Sequence, residues 1–286
     1  MKSSTIGFIG AGYMGYGIAH NLLKKNFKLS VIANKNRKPI DKLVSEGALE
    51  AKSYEELLNF SDIIIMCVTN TPIAIDVIKK VIPYLKSQKI VIDITTHNAT
   101  GSIKMKNLLK EVHVKYIESP VMGGVVQAEE GVLGAIVGSN FEDFQSIKHV
   151  LMAFCKEAIH FGDVGMGAKT KLLSNFLSLG TATFVIETIK AANHMNIDLQ
   201  KLYDVAKLGS GNSGALNRIA DKAINGDYKG YVFSINNVVK DLTYINSLLS
   251  DLPNAEKLSS LTKSFYQEAV DQGRGEQLMS ELIKDK

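Results

Sequence analysis

The sequence predicts an α/β chain: an N-terminal, doubly wound and mostly parallel sheet, then an all-α C-terminal domain, joined by one long interdomain helix. Three observations predict it. Short β-rich runs alternate with amphipathic helical stretches from residue 5 to about 162. A glycine-rich turn follows the first of these runs directly. After Gly167, apolar residues recur at helical spacing to the C-terminus and convincing strands disappear. Domains are therefore expected at 1–164 and 165–286.

In order along the chain, strands are expected at 5–9, 28–33, 62–68, 89–94, 114–117, 134–137 and 158–161. Several are nearly continuous apolar runs, such as Ile63-Ile64-Ile65-Met66, which suits strands covered on both faces. Helices are expected between them at 14–25, 38–46, 72–85, 100–109 and 141–154. The stretch 169–194 reads as one long helix, apolar on nearly every face and so buried. Further helices are expected at 198–207, 215–225, 233–249 and 255–272.

Bulk properties narrow the function classes. A chain of 286 residues with 45% hydrophobic and 22% charged residues can bury a sizeable core and shows no signature of disorder. Its net charge of +4 is spread without any basic block, which argues against nucleic acid as the main partner. Cys67 and Cys155 lack metal or redox spacing and read as buried, reduced thiols. The first apolar run, 6–9, is too short for a signal peptide. The longest uncharged stretch, 172–186, falls short of the ~20 residues of a membrane span. A soluble, cytoplasmic protein without a membrane partner is expected.

Ile6-Gly7-Phe8-Ile9-Gly10-Ala11-Gly12-Tyr13-Met14-Gly15 runs from a strand through Gly-x-Gly-x-x-Gly into a helix. In the Rossmann dinucleotide fold the first glycine permits the tight turn and the second lets the backbone approach a pyrophosphate. The third allows helix to pack closely on strand. Free N–H groups at the helix N-terminus then hold the anion. Gly10, Ala11, Gly12, Tyr13 and Met14 are therefore candidate cofactor residues. Where an acid would bond the ribose hydroxyls of NAD, the chain reads Ala33-Asn34-Lys35-Asn36-Arg37-Lys38, and the first acid is Asp41. Amides and cations attract a 2′-phosphate that an acid would repel, so NADP(H) is favoured over NAD(H), with Asn34, Lys35 and Arg37 facing it. Val68, Thr69, Asn70, Thr71 and Thr96 follow strands at their carboxyl ends, where dinucleotides bind. His97 lies there too and reads as a polar loop residue.

Four separated segments carry a wider likeness: Gly7 to Gly15 with Ala19, Asn21 and Leu22 behind it; Ser119-Pro120-Val121-Met122-Gly123-Gly124 with Ala128 and Gly131; Gly165-Met166-Gly167-Ala168-Lys169-Thr170-Lys171-Leu172-Leu173-Ser174-Asn175; and Lys240-Asp241-Leu242. In their order and spacing the chain resembles the β-hydroxyacid dehydrogenases, over essentially its whole length. That group includes 3-hydroxyisobutyrate dehydrogenases, tartronate semialdehyde reductases and glyoxylate/succinic semialdehyde reductases.

Lys171 and Asn175 lie four apart, one turn along the same face of a helix. A lysine there can donate a proton or hydrogen bond to a substrate oxygen, and partial desolvation eases proton exchange near neutrality. The resemblance implies that Lys171 is catalytic and that Asn175 holds the same oxygen or the substrate. Lys169, two residues earlier, falls on another face and reads as peripheral. In the Ser119 segment, the N–H groups of Gly123 and Gly124 are expected to form a small nest for a substrate carboxylate. Met122 stands where most of the family have serine or threonine, which removes a hydroxyl donor and adds apolar bulk. Either the carboxylate is held elsewhere or the substrate is a different, more apolar carbonyl. Gly211-Asn212-Ser213 resembles the family's substrate-containing loop, and Lys240 is similar to the lysine that reaches the nicotinamide or substrate. Phe233, two helical turns before Lys240, either walls the same pocket or packs in the core.

The expected function is reversible hydride transfer between NADP(H) and a short hydroxy acid or its semialdehyde or keto acid. Two rivals are an imine reductase-like enzyme, which usually lacks the lysine, and a non-catalytic dinucleotide-binding assembly module. Lys171 counts against the first, and the presence of both Lys171 and Asn175 against the second. The long helix needs more cover than the short helices after it supply, so a homodimer or homotetramer is expected.

Overall fold

A computed structural model describes residues 4–285. The chain divides into two compact units, one ending at Lys171 and the other starting at Leu172.

The first unit opens with β1 (Thr5–Ile9), α1 (Tyr13–Lys24), β2 (Lys28–Ile32), α2 (Lys38–Ser45), β3 (Leu49–Ala51), α3 (Tyr54–Phe60), β4 (Ile63–Met66), α4 (Thr71–Val81), β5 (Ile90–Asp93), α5 (Ala99–Lys110) and β6 (Lys115–Glu118). The six strands form a parallel sheet in the order β3-β2-β1-β4-β5-β6. The order reverses between β1 and β4, which opens a crevice at their carboxyl ends. Strand residues of both parities, such as Ile64 and Ile65, are buried, as helices on both faces require. The two short elements β3 and α3 are absent from the sequence reading because three and seven residues carry too little periodicity. The expected helix at 72–85 stops at Val81 and tightens into a 3-10 turn over Ile82–Tyr84, where Pro83 offers no N–H.

The runs at 134–137 and 158–161, read as part of one alternating sheet, belong to a second sheet instead. It comprises β7 (Val121–Met122), β8 (Leu133–Val137) and β9 (Cys155–His160), with α6 (Val125–Glu130) and α7 (Phe141–Leu151) between them. β7 pairs antiparallel with β8, and β8 parallel with β9. Pro120 interrupts the chain after β6, and Gly123, at φ +118°, turns it back. Asn21 of α1 ties this layer down. Its Nδ2 donates to the Gly17, Ala128 and Glu129 carbonyls at 2.9, 2.9 and 3.0 Å.

Helix α8 (Met166–His194) begins in the first unit and continues into the second. α9 (Leu199–Ala206), α10 (Gly214–Ala223), α11 (Ile235–Leu248) and α12 (Pro253–Asp271) follow, then a 3-10 segment at Met279–Lys284. Leu179, Ala182 and Ile186 pack with Ile219, Leu242, Ile245 and Tyr266 in a helical core. As expected, the short helices do not cover α8 completely. Leu173, Leu177 and Phe184 form an apolar face that stays exposed, 72% for the last two, because the other helices of the unit cover only its opposite side.

Candidate active site

The three glycines of the turn differ in what surrounds them. Gly10 has φ +100°, and a Cβ on it would lie 2.1 Å from the Cys67 carbonyl oxygen. A Cβ on Gly15 would lie 2.1 Å from the Gly10 oxygen. Gly12 has nothing within 4 Å of the equivalent position. The first and third are thus required by the protein's own packing, whereas the second faces open space. No side chain caps α1, so its first N–H groups are available to an anion. Ala11 is buried beneath the turn, Met14 half-buried and Tyr13 exposed. These features fit a dinucleotide pyrophosphate.

At the end of β2, Asn34 and Lys35 are exposed, and Lys35 has no carboxylate partner among the described residues. Arg37 is placed differently from the sequence reading. Its guanidinium donates to both Glu50 oxygens at 2.9 and 3.0 Å and to Asp41 at 2.8 Å. Hydrogen bonds from Arg37 hold the Glu50 carboxyl below its usual range. A 2′-phosphate must therefore compete with two carboxylates for Arg37. Glu50 became visible only when β3 paired beside β2.

Two loops meet at the carboxyl ends of β4 and β5. The Val68 N–H donates to Thr95 Oγ1 at 3.0 Å, and Thr71 Oγ1 lies 3.1 Å from His97 Nδ1. His97 Nε2 lies 2.8 Å from Asp93, which also accepts from the Thr95 N–H at 3.0 Å and the Tyr116 hydroxyl at 3.1 Å. His97 is a polar loop residue as expected, and at 1% exposed it also cross-links the loops that carry Thr69 and Thr96. Asn70 accepts from the Ile73 N–H and caps α4. Thr69 is exposed and Thr96 half-buried.

Lys171 is buried near the start of α8, with Nζ 3.4 Å from the Met122 thioether sulfur. Lys169 is exposed. The expected carboxylate nest is altered. Gly123 keeps its turn, but the Gly124 N–H donates to Gln127 Oε1 at 2.8 Å because Gln127 is the third residue of α6 and reaches back to its start. Gln127 escaped the sequence reading, although Gly-x-x-Gln is a recognisable capping pattern. Ser119 is fully buried beneath this segment.

Within the second unit, Asn175 Nδ2 donates to Asp241 Oδ2 at 2.6 Å, and Lys240 pairs with Asp241 Oδ1 at 3.1 Å. Asp241 is 1% exposed. Lys-Asp-Leu alone does not single it out; its burial and these two contacts mark it as the group that orients both neighbours. Phe233 precedes α11, whose N-cap is Ser234, so the expected two-turn relation to Lys240 does not hold; its ring packs against the helical core. Gly211, Asn212 and Ser213 border a cavity of about 470 Å³ with Phe184, Tyr203 and Leu216. The Ser213 hydroxyl caps α10.

Comparisons with known proteins bear on this arrangement. The description "NAD binding domain of 6-phosphogluconate dehydrogenase" matches residues 5–162, and "NAD-binding of NADP-dependent 3-hydroxyisobutyrate dehydrogenase" matches 165–285. The chain belongs to the β-hydroxyacid dehydrogenase family. It is an NAD(P)-dependent oxidoreductase. Among its relatives is 2-(hydroxymethyl)glutarate dehydrogenase of Eubacterium barkeri, 26% identical over 99% of this chain and 95% of that one. Another is mitochondrial 3-hydroxyisobutyrate dehydrogenase of Drosophila melanogaster, 28% identical over 96% and 86%. A solved structure, Psf3 in complex with NADP+ and 2-OPP, superposes with a TM-score of 0.84 at 25% identity, covering 98% of each chain.

Proposed function

We propose that this enzyme transfers hydride reversibly between NADP(H) and a short hydroxy acid or the corresponding semialdehyde, with Lys171 as general acid and base. The observation that carries this reading is Lys171 itself, a lysine buried near the start of α8, one turn before Asn175 and with Nζ 3.4 Å from the Met122 sulfur. When bound, the nicotinamide supplies or accepts the hydride. Lys171 Nζ donates a proton to the carbonyl oxygen in reduction and takes it back in oxidation. One turn further along α8, the Asn175 amide nitrogen is committed to Asp241, leaving its carbonyl oxygen to accept a hydrogen bond from a substrate hydroxyl.

The cofactor preference rests on Asn34 and Lys35 and on the lack of an acid between Ala33 and Lys38, with Arg37 shared with Glu50 and Asp41. NADPH would make aldehyde reduction the working direction. Met122, together with the Gly124 N–H closed by Gln127, favours a carbonyl whose carboxylate is held elsewhere or whose substituent is apolar. The exposed apolar face of α8 supports a homodimer or homotetramer.

Lys171→Ala is expected to lower turnover by roughly 10²–10⁴-fold while NADPH affinity, read by fluorescence titration, stays unchanged. Near-normal turnover refutes the assignment. A carbonyl screen run in parallel with NADPH and NADH checks the cofactor, and equal kcat/KM values refute the preference.

A further inference from the structure

Glu118 has no part in the chemistry above, yet its carboxylate sits at the start of the helix that carries Lys171. It ends β6 and is 1% exposed. Its Oε1 accepts the N–H groups of Gly165, Gly167 and Ala168 at 2.6, 2.8 and 3.2 Å. These belong to the orphan donors of the first turn of α8, and a carboxylate there meets the positive end of a 29-residue helix. An ordinary N-cap comes from the residue just before the helix, but Gly165 has no side chain to offer. The acid arrives from 47 residues away instead.

The seat is tight. A Cβ on Gly167 would lie 3.0 Å from Glu118 Oε1, 3.0 Å from the Gly138 nitrogen and 3.1 Å from the Ile136 oxygen. A Cβ on Gly138 would lie 2.1 Å from Oε1. The backbone of α8 is therefore pressed onto β8 and the Glu118 carboxyl at one point. Lys171 follows Gly167 by four residues, one turn, so the place of its ammonium against Met122 is inherited from that point. Burial pushes the Glu118 carboxyl up, and its Oε1 serves the helix as an acceptor of three N–H groups.

We propose that Glu118 is a positioning residue for Lys171: it anchors the first turn of α8 and so fixes where the lysine stands one turn further on. The inference rests on the reading of Lys171 as acid and base, and its test is built to fail separately from that reading.

Glu118→Gln keeps the shape and an acceptor oxygen at the same reach; Glu118→Asp shortens the reach. Both are compared with Lys171→Ala and wild type for kcat, KM, NADPH affinity and hydrogen exchange at 165–168. In Glu118→Asp, kcat is expected to fall roughly 10-fold with KM and NADPH affinity within about threefold, and exchange at 165–168 should quicken. In Glu118→Gln, both should return towards wild type.

A Glu118→Asp enzyme with wild-type kcat, beside an inactive Lys171→Ala, overturns this inference alone. A loss of activity in Glu118→Asp that only tracks lost folded protein reduces Glu118 to a cap and overturns it too. Turnover surviving in Lys171→Ala overturns the reading of Lys171 and this inference with it.

Discussion

Gly12→Ala should separate cofactor binding from folding. Gly12 sits in extended backbone, φ −82° and ψ −151°, which alanine also adopts. An added Cβ meets no protein atom within 4 Å. The folded state therefore loses nothing, and the stiffer unfolded chain should raise stability by about 0.4–1 kcal/mol. For a chain of this size that is a rise of about 1–4 °C in Tm. The same methyl stands where a pyrophosphate would cross the turn. Forcing a methyl into a filled contact costs about 1–3 kcal/mol, or roughly 5- to 150-fold in NADPH affinity. Gly15→Ala is the control, because its Cβ would lie 2.1 Å from the Gly10 oxygen and 3.1 Å from the Phe8 ring. That variant should melt several degrees lower. Thermal melts and NADPH fluorescence titrations read both quantities. Unchanged affinity in Gly12→Ala would refute the path of the dinucleotide, and a large fall in its Tm would refute the geometry of the turn.

Two further outcomes follow from buried polar groups. Asn21→Leu strands the Ala128 and Glu129 carbonyls at the end of α6, which should cost about 2–4 kcal/mol in urea unfolding; an unchanged midpoint would count against the tie between α1 and α6. Burial pushes the Cys155 thiol up to about 12, so at pH 8 it is almost wholly protonated and unreactive. Alkylation followed by mass spectrometry should label Cys155 only after unfolding, and rapid labelling of the native protein would contradict its burial.

The legibility of the site varied with the range of the interactions that made it. Lys171 and Asn175 were readable because one turn of helix brings them together, and helical spacing is a local property. The glycine turn was readable because strand, turn and helix are consecutive. The role of Asp241 is not legible locally, since its bond to Asn175 spans 66 residues. The same holds for Glu50 against Arg37. The Gly124 N–H is not legible locally either, because an N–H is open or closed according to one side-chain rotamer, here that of Gln127.

By itself, the sequence determined the alternation of strands and helices, the parallel sheet they demand, the dinucleotide turn and the helix bearing the lysine. Each is set by periodicity, glycine conformation or short spacing, which act between near neighbours. Only the tertiary structure decided that the last strands leave the main sheet, that α8 keeps one apolar face exposed, and that His97 is buried between two loops. It also decided that Arg37 is held by Glu50 and Asp41 and that Glu118 seats the start of α8. These outcomes depend on which distant groups share one buried volume, and a charge or hydrogen bond there is worth what its neighbours in space, not in sequence, make it.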